Sequence, residues 1–475
     1  MPFCRDCGAQ VDITWKFCPQ CNIAQVHAEE SGSVQSANIN LTDGVIGGDV
    51  NITQNNTDDI SKALLQTLQS LGFTGEKSPA ELSPRQEIEV GKVLEVSEKL
   101  VDYGVVMDPW NDITLGNAAK LSGRTTVAHQ HYLRALQSFK ESNNMDGEAA
   151  AKSNLGVIAK LQGNMEMAKQ FLEESLAINR LIGDMQGVAV ALSNLGLIAH
   201  TRGDFQKAEK LLMESKHIYQ DLGSIEGVSK QLGNLGNISK SRGDLVQAER
   251  LYRESLSNYQ EIGDKQSEAI ALNNLGVLSK TRGDLDEAKR LYQQSLSINK
   301  ALGDRRGGSI SLGNLGNIAQ IQGDLSTARS LYHESLSVNR EIGNKEGEAL
   351  SLNNLGHLAK TRSDLSEAEL LYRRSLDICR SIGDRQNEAI CLGYLGVIAE
   401  EFGKTDEAER LHRESLAIER EVGDRRGESI SLHQLGTLAF SRGDTAAQHE
   451  LYTEAVRIRR DIGLPVDQWF IDNGY

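Results

Sequence analysis

Glycine recurs in this chain with a fixed spacing. Gly116, Gly156, Gly196, Gly236, Gly276, Gly316, Gly356, Gly396 and Gly436 stand 40 residues apart. A second series runs Gly123, Gly163, Gly203, Gly243, Gly283 and Gly323, lapses at Ser363, and resumes at Gly403 and Gly443. A third begins at Gly183 and ends at Gly463. Together they hold more than half of the 45 glycines in the chain. A period between 20 and 50 residues means stacked units that each touch only their neighbours, rather than separate domains. The period covers about residues 107–466 of 475.

One unit predicts its own local structure. Asp264 is placed to cap a first helix over 266–281, with Ile270, Leu272, Leu275 and Leu278 as its apolar set. Arg282-Gly283-Asp284 reads as a turn, and Asp284 with Glu287 has the spacing of a capping box. A second helix over 285–302 carries Leu285, Ala288, Leu291, Tyr292 and Leu296 on one side. Nothing alternates with period two, so the unit is helix–turn–helix.

These residues resemble the tetratricopeptide repeats. Leu275-Gly276, Ala288 and Tyr292 fit that family's first-helix Leu-Gly and second-helix Ala and aromatic. Leu235-Gly236, Ala248 and Tyr252, and Leu315-Gly316, Ala328 and Tyr332, repeat the set. Ser255, Ser295 and Ser335 stand where the family prefers a small residue. Two features depart from it: the unit has 40 residues rather than 34, and Leu232, Leu272 or Leu312 replaces the usual Trp. The longer unit with Asn-Leu-Gly is similar to the repeats of kinesin light chains and Pins-type adaptors. The resemblance implies an all-α, right-handed superhelical solenoid of about nine repeats that acts as a non-enzymatic binding scaffold.

It also implies that the first-helix stripe opposite Leu232, Leu235, Gly236 and Ser239 lines a concave groove. Asn154, Asn194, Asn234, Asn274, Asn314 and Asn354 recur there, before Tyr394 and Gln434. A primary amide offers one acceptor and two donors, which suits the C=O and N–H of an extended backbone. Asn is also a poor helix former, yet it sits mid-helix six times. Lys120, Lys160, Lys240, Lys280 and Lys360 form a second row, with His200 and Gln320 in the gaps, and favour a peptide with acidic side chains. The Arg row, Arg202, Arg242, Arg282, Arg362 and Arg442, reads as a solvated ridge before the turn.

The remaining chain divides into residues 1–28, 29–85, a capping helix at 86–106, and a tail at 467–475. Cys4, Cys7, Cys18 and Cys21 form C-x2-C-x10-C-x2-C, the spacing that closes a tetrahedron of thiolates around one structural Zn²⁺. This resembles the short zinc ribbons at the N-termini of many prokaryotic proteins. Residues 1–30 carry more acid than base, so nucleic acid is not the expected ligand of this module. A nucleic-acid-associated regulator that uses the ribbon is the alternative to the scaffold. Cys379 and Cys391 have no metal spacing and read as small packing residues. Around 36–57, Ile39/Leu41 and Val50/Ile52 alternate about Gly44, Gly47 and Gly48, which predicts two short strands. Within 31–72 two readings stay open: a linker, or a segment that gains strands from other copies and makes a homo-oligomer. Helices are predicted over 59–72 and 86–104.

The net charge is −15, which argues against a large nucleic-acid footprint. No stretch approaches the roughly 18 apolar residues of a membrane span. The N-terminus lacks the apolar region of a secretory signal, so a cytoplasmic location is expected. No Ser-His-Asp set, H-E-x-x-H or paired carboxylate site is legible, and the expectation is no enzyme activity.

Overall fold

The structure, a computed structural model, describes residues 37–41, 48–52, 57–73, 82, 84–102 and 107–475. The cysteines at 4, 7, 18 and 21 lie outside the described residues. Two compact units divide the chain, one holding residues 1–67 and 95–106, the other 68–94 and 107–475. In the first, β1 (Ala37–Leu41) pairs antiparallel with β2 (Gly48–Ile52), with Ile39 opposite Val50. Two helices follow, α1 (Thr57–Ser70) and α2 (Pro84–Asp102).

The second unit is dominated by nine helical hairpins. Their first helices are α3 (Pro109–Leu121), α5 (Met145–Leu161), α7 (Met185–Thr201), α9 (Ile225–Ser241), α11 (Lys265–Thr281), α13 (Arg305–Ile321), α15 (Lys345–Thr361), α17 (Arg385–Glu401) and α19 (Arg425–Ser441). Their second helices are α4 (Thr125–Glu141), α6 (Met165–Ile182), α8 (Phe205–Asp221), α10 (Leu245–Ile262), α12 (Leu285–Leu302), α14 (Leu325–Glu341), α16 (Leu365–Ile382), α18 (Thr405–Val422) and α20 (Thr445–Asp461). A short α21 (Gln468–Asp472) follows, and its Phe470 packs with Tyr452 and Val456 on the last hairpin. Among the described residues no helix is long and apolar enough to cross a membrane.

Most hairpins close by the same contacts, the exceptions being α4 and α18, where Arg124 and Lys404 stand at the cap position and make no side-chain cap. Asp264 accepts from Ser267 N–H at 3.0 Å and Asp284 from Glu287 N–H at 3.1 Å, which satisfies first-turn donors that have no partner within the helix. The capping box is only half formed, because the Glu287 carboxylate pairs with Arg290 instead. Gly263, Gly303 and Gly383 end their helices in the left-handed conformation. At the lapse in the glycine series, Ser363 adopts φ +62° all the same, so the turn dictates the backbone even where a side chain resists it.

The other glycine series serves packing. A Cβ on Gly236, Gly276 or Gly316 would lie 2.5 Å from Cε1 of Tyr252, Tyr292 or Tyr332 respectively. Only hydrogen leaves room for a tyrosine ring flat against the first helix. Ser175, Ser215, Ser255, Ser295, Ser335, Ser375 and Ser415 each donate to a first-helix carbonyl at 2.8–2.9 Å. Each such bond contributes about 0.5–1.5 kcal/mol net. Ser295 and Ser335 extend the network to Ser311 and Ser351 of the next first helix. In the α16–α17 contact, fully buried Cys379 and Cys391 take the places that Asn339 and Ser351 hold one repeat earlier.

The Arg row is a solvent-facing ridge in which four of the five side chains also tie neighbouring repeats, Arg362 having no ion pair among the described residues. Arg202 meets Glu166 at 2.7 Å and Arg242 meets Glu209 at 2.8 Å, while Arg282 and Arg442 pair with Glu249 and Glu409. Exposed pairs of this kind contribute about 0–1 kcal/mol each.

Candidate functional site

First helices touch one another along the stack, α3 with α5, α5 with α7, α11 with α13 and α13 with α15, whereas successive second helices scarcely meet. The side with the closer spacing must be the inside of the curve, so the first helices form the concave wall. Buried Leu272, Leu275 and Leu278 face the second helix, Ile270 and Asn274 stand on the open side, and half-buried Val277 lies at the border, packed against the cluster that holds Tyr292.

The six asparagines all lie half-buried on this wall. Asn154 donates to the Ala150 carbonyl at 3.1 Å, Asn234 to Gln231 at 3.4 Å and Asn314 to Asn273 at 3.4 Å. The side chains of Asn194, Asn274 and Asn354 make no hydrogen bond to another described residue. In the same row Tyr394 stacks on Tyr372 with ring centroids 5.0 Å apart.

The position three residues beyond the asparagine is set by packing. Where the second helix carries tyrosine, this residue tends to take its hydroxyl proton: Tyr132 to Asn117 at 2.8 Å, Tyr252 to Asn237 at 2.6 Å, Tyr332 to Asn317 at 2.7 Å. Leu172 and Leu212 stand opposite Val157 and Leu197 instead. Tyr292 faces Val277, and its buried hydroxyl has no partner.

The lysine row is half-buried as well. Desolvation holds the Lys120, Lys160 and Lys280 ammonium groups below the usual lysine range. For Lys240, desolvation is joined by repulsion from Lys280 and Arg426. No carboxylate among the described residues lies within ion-pair distance of these four lysines, whereas Lys360 has Glu401 at 3.8 Å.

One row on the wall is missing from the sequence reading. Val190, Ile270, Ile310, Leu350, Ile390 and Ile430 sit one helical turn before the Asn-row position, and Ile270 is 57% exposed. Periodicity grouped Ile270 with the core leucines, yet it lies two residues, about 200° around the helix, from Leu272. The apolar ladder, the amides and the cations therefore run side by side along one surface.

The array also touches itself after a superhelical turn. A Cβ on Gly163 would meet Val422 Cγ1 at 3.4 Å and Arg385 Cβ at 3.6 Å. One repeat on, a Cβ on Gly203 would meet Ile462 at 2.7 Å and Arg425 Cβ at 3.9 Å. Phe205 packs against the cluster that contains Leu416, Leu432 and Ile462. Ile462 is 6% exposed where its counterparts Leu222 and Leu302 are 48% and 49% exposed. This seam brings the ends of α5, α7 and α9 beside the starts of α17 and α19.

Family models match these hairpins: tetratricopeptide-repeat models at residues 149–184 and at 309–381, 371–421 and 388–461, and a MalT-like TPR region at 183–307. The array is made of tetratricopeptide repeats. A comparison with curated proteins gives no match. Among solved structures, the TPR array resembles a Rap protein complexed with Competence and Sporulation Factor (TM-score 0.52, 11% identity, covering 78% of this chain and 99% of that one). The apo form of RapI is similar over 61% of this chain and 99% of its own, at 15% identity and TM-score 0.46. A STAND protein with a tetratricopeptide repeat sensor from Pyrococcus horikoshii matches over 86% of this chain and 63% of its own, at 15% identity and TM-score 0.43. At these identities the likeness concerns the fold of the TPR array.

Proposed function

We propose that the protein is a non-enzymatic interaction scaffold whose concave TPR wall holds an extended segment of a partner protein. The observation that carries this reading is the repetition of half-buried polar groups with no partner of their own: the amides of Asn194, Asn274 and Asn354, and the ammonium groups of Lys160, Lys240 and Lys280. A half-buried polar group without a partner costs stability, and a bound backbone or carboxylate offsets that cost. The lysines favour a partner with acidic side chains. The Rap protein that shares this fold is complexed with Competence and Sporulation Factor, which supports reading such an array as a holder of partners.

The test is a pull-down with the full chain, quantified by mass spectrometry, against the variant Asn194→Ala/Asn274→Ala/Asn354→Ala. Alanine is the better helix former, so the variant keeps its melting temperature. Its leading partner is recovered about tenfold less, since each lost contact costs about 0.5–1.5 kcal/mol. Equal recovery by a folded variant contradicts the reading.

At the N-terminus the four-cysteine spacing supports one structural Zn²⁺ held by Cys4, Cys7, Cys18 and Cys21. Elemental analysis of the purified chain then gives about one equivalent, lost when Cys4 and Cys18 become Ser. Unchanged metal content in that variant removes the assignment.

A further inference from the structure

The seam brings together residues that no local reading connects. Lys240, near the end of α9, lies close enough to Arg426, at the start of α19, to feel its charge, and Lys280 acts on it from α11. His200, bonded to Ser241 Oγ at 2.9 Å, feels Lys240 and Lys160 in turn. Among the described residues none of Lys160, Lys240, Lys280 or Arg426 is in an ion pair. The contrast with the next residue is direct, because Arg425 pairs with Glu428. The chain carries 66 acidic and 51 basic residues, so a basic cluster left without carboxylates runs against its overall balance. Like charges held together in a half-desolvated place raise the free energy of the empty site, and an anion lowers it.

The same place is apolar on its other side. Ile430 stands one turn beyond Arg426 on the same face of α19 and is 49% exposed, and Ile390 is its counterpart on α17. A free phosphate or simple polyanion has no use for these side chains. An acidic segment of a protein that also carries leucine-like residues complements both halves.

We propose that the seam is a specificity site within the groove: it takes a partner segment whose carboxylates lie on Lys240, Lys280 and Arg426 and whose apolar side chains lie on Ile390 and Ile430, so that one ligand bridges two turns of the array. This rests on the groove reading and adds its composition and its place. The segment spans α9–α11 and α17–α19, which are distant in sequence and adjacent only across the closed seam. Lys360, in the same row but paired with Glu401, is not part of it.

The test uses the full chain and three fluorescent probes of about eight residues: alternating Glu and Leu, all Glu, and alternating Ser and Leu. Anisotropy titration of the wild type ranks Glu-Leu tightest. Arg426→Gln and Lys240→Gln each weaken Glu-Leu about tenfold, the size of one charge-assisted contact. Ile430→Ser weakens Glu-Leu but not all-Glu, and Lys360→Gln changes neither beyond about twofold. All four side chains are exposed or half-buried, so the variants keep the wild-type melting temperature. Absence of Glu-Leu binding to the wild type overturns the proposal. So does inorganic polyphosphate that displaces Glu-Leu equally from wild type and Ile430→Ser, which would mark an anion site without apolar selection. If Arg426→Gln binds normally while the triple Asn variant does not, the groove reading stands and the seam site falls. If both bind normally, both fall.

Discussion

The packed face and the open face of one first helix make a useful comparison. On the packed face of α11, Leu272, Leu275 and Gly276 repeat from hairpin to hairpin because the second helix packs there, with Tyr292 against Gly276 as Leu172, Leu212 or His412 lies against the glycine elsewhere. On the open face, Ile270 is 57% exposed and half-buried Asn274 makes no hydrogen bond to another described residue, yet both recur along the stack. The first repetition is explained by packing and the second is not. A surface that repeats without a packing reason is where an outside partner supplies the constraint.

This contrast can be broken most sharply at glycine. In an exposed helix Gly→Ala stabilises by about 1 kcal/mol. For Gly276→Ala the sign reverses, because the new methyl would sit 2.5 Å from the Tyr292 ring. The expected loss is about 1–3 kcal/mol in chemical denaturation. Ile270→Ala, six residues earlier on the open face, leaves stability within about 0.5 kcal/mol. Equal effects at the two positions would remove the distinction between the faces.

A smaller effect sharpens the border between them. Tyr252→Phe removes a hydroxyl bonded to Asn237 at 2.6 Å and costs about 0.5–1.5 kcal/mol. Tyr292→Phe removes a buried hydroxyl with no partner, so it is neutral or stabilising. Parallel urea titrations read the difference directly, and a matching loss in both variants would contradict the pairing of tyrosine with Asn.

The smallest effect depends on pH. Where Asn299 and Asn339 stand in other repeats, α18 carries Glu419, buried, with Ser415 donating to Oε1 at 3.1 Å and Oε2 without a partner. Burial pushes its carboxyl above the usual range. A raised acid in the folded state contributes fully below the ordinary carboxylate pKa and loses that contribution as pH rises through the folded value. Glu419→Gln therefore raises the melting temperature at neutral pH and leaves it unchanged in acid. An equal shift at both pH values would refute this account.

Much of the packed face was legible in the chain. The 40-residue period, the turn glycines and the capping Asp264 and Asp284 follow from local rules that a single unit displays. The first helix begins at Lys265, one residue before the predicted start, since cap position and first turn share the same residues. The open face was only half legible. The Asn and Lys rows are conspicuous by residue type, but Ile270 resembles its core neighbours in chemistry and differs only in phase. Arg426 was invisible, because its approach to Lys240 depends on how small tilts between the six hairpins from α9 to α20 accumulate into a closed turn. The Arg row was legible as exposed, while its ties to Glu166 and Glu209 required the stacking offset between repeats.

Hydrogen–deuterium exchange of the full chain, alone and with the partner captured in the pull-down, tests the central claim most directly. Protection on binding should fall on first-helix segments around 186–200, 266–281, 346–361 and 425–441, with second helices such as α10 and α14 unchanged. Protection confined to second helices, or to residues before 107, would place the binding surface elsewhere and contradict the account.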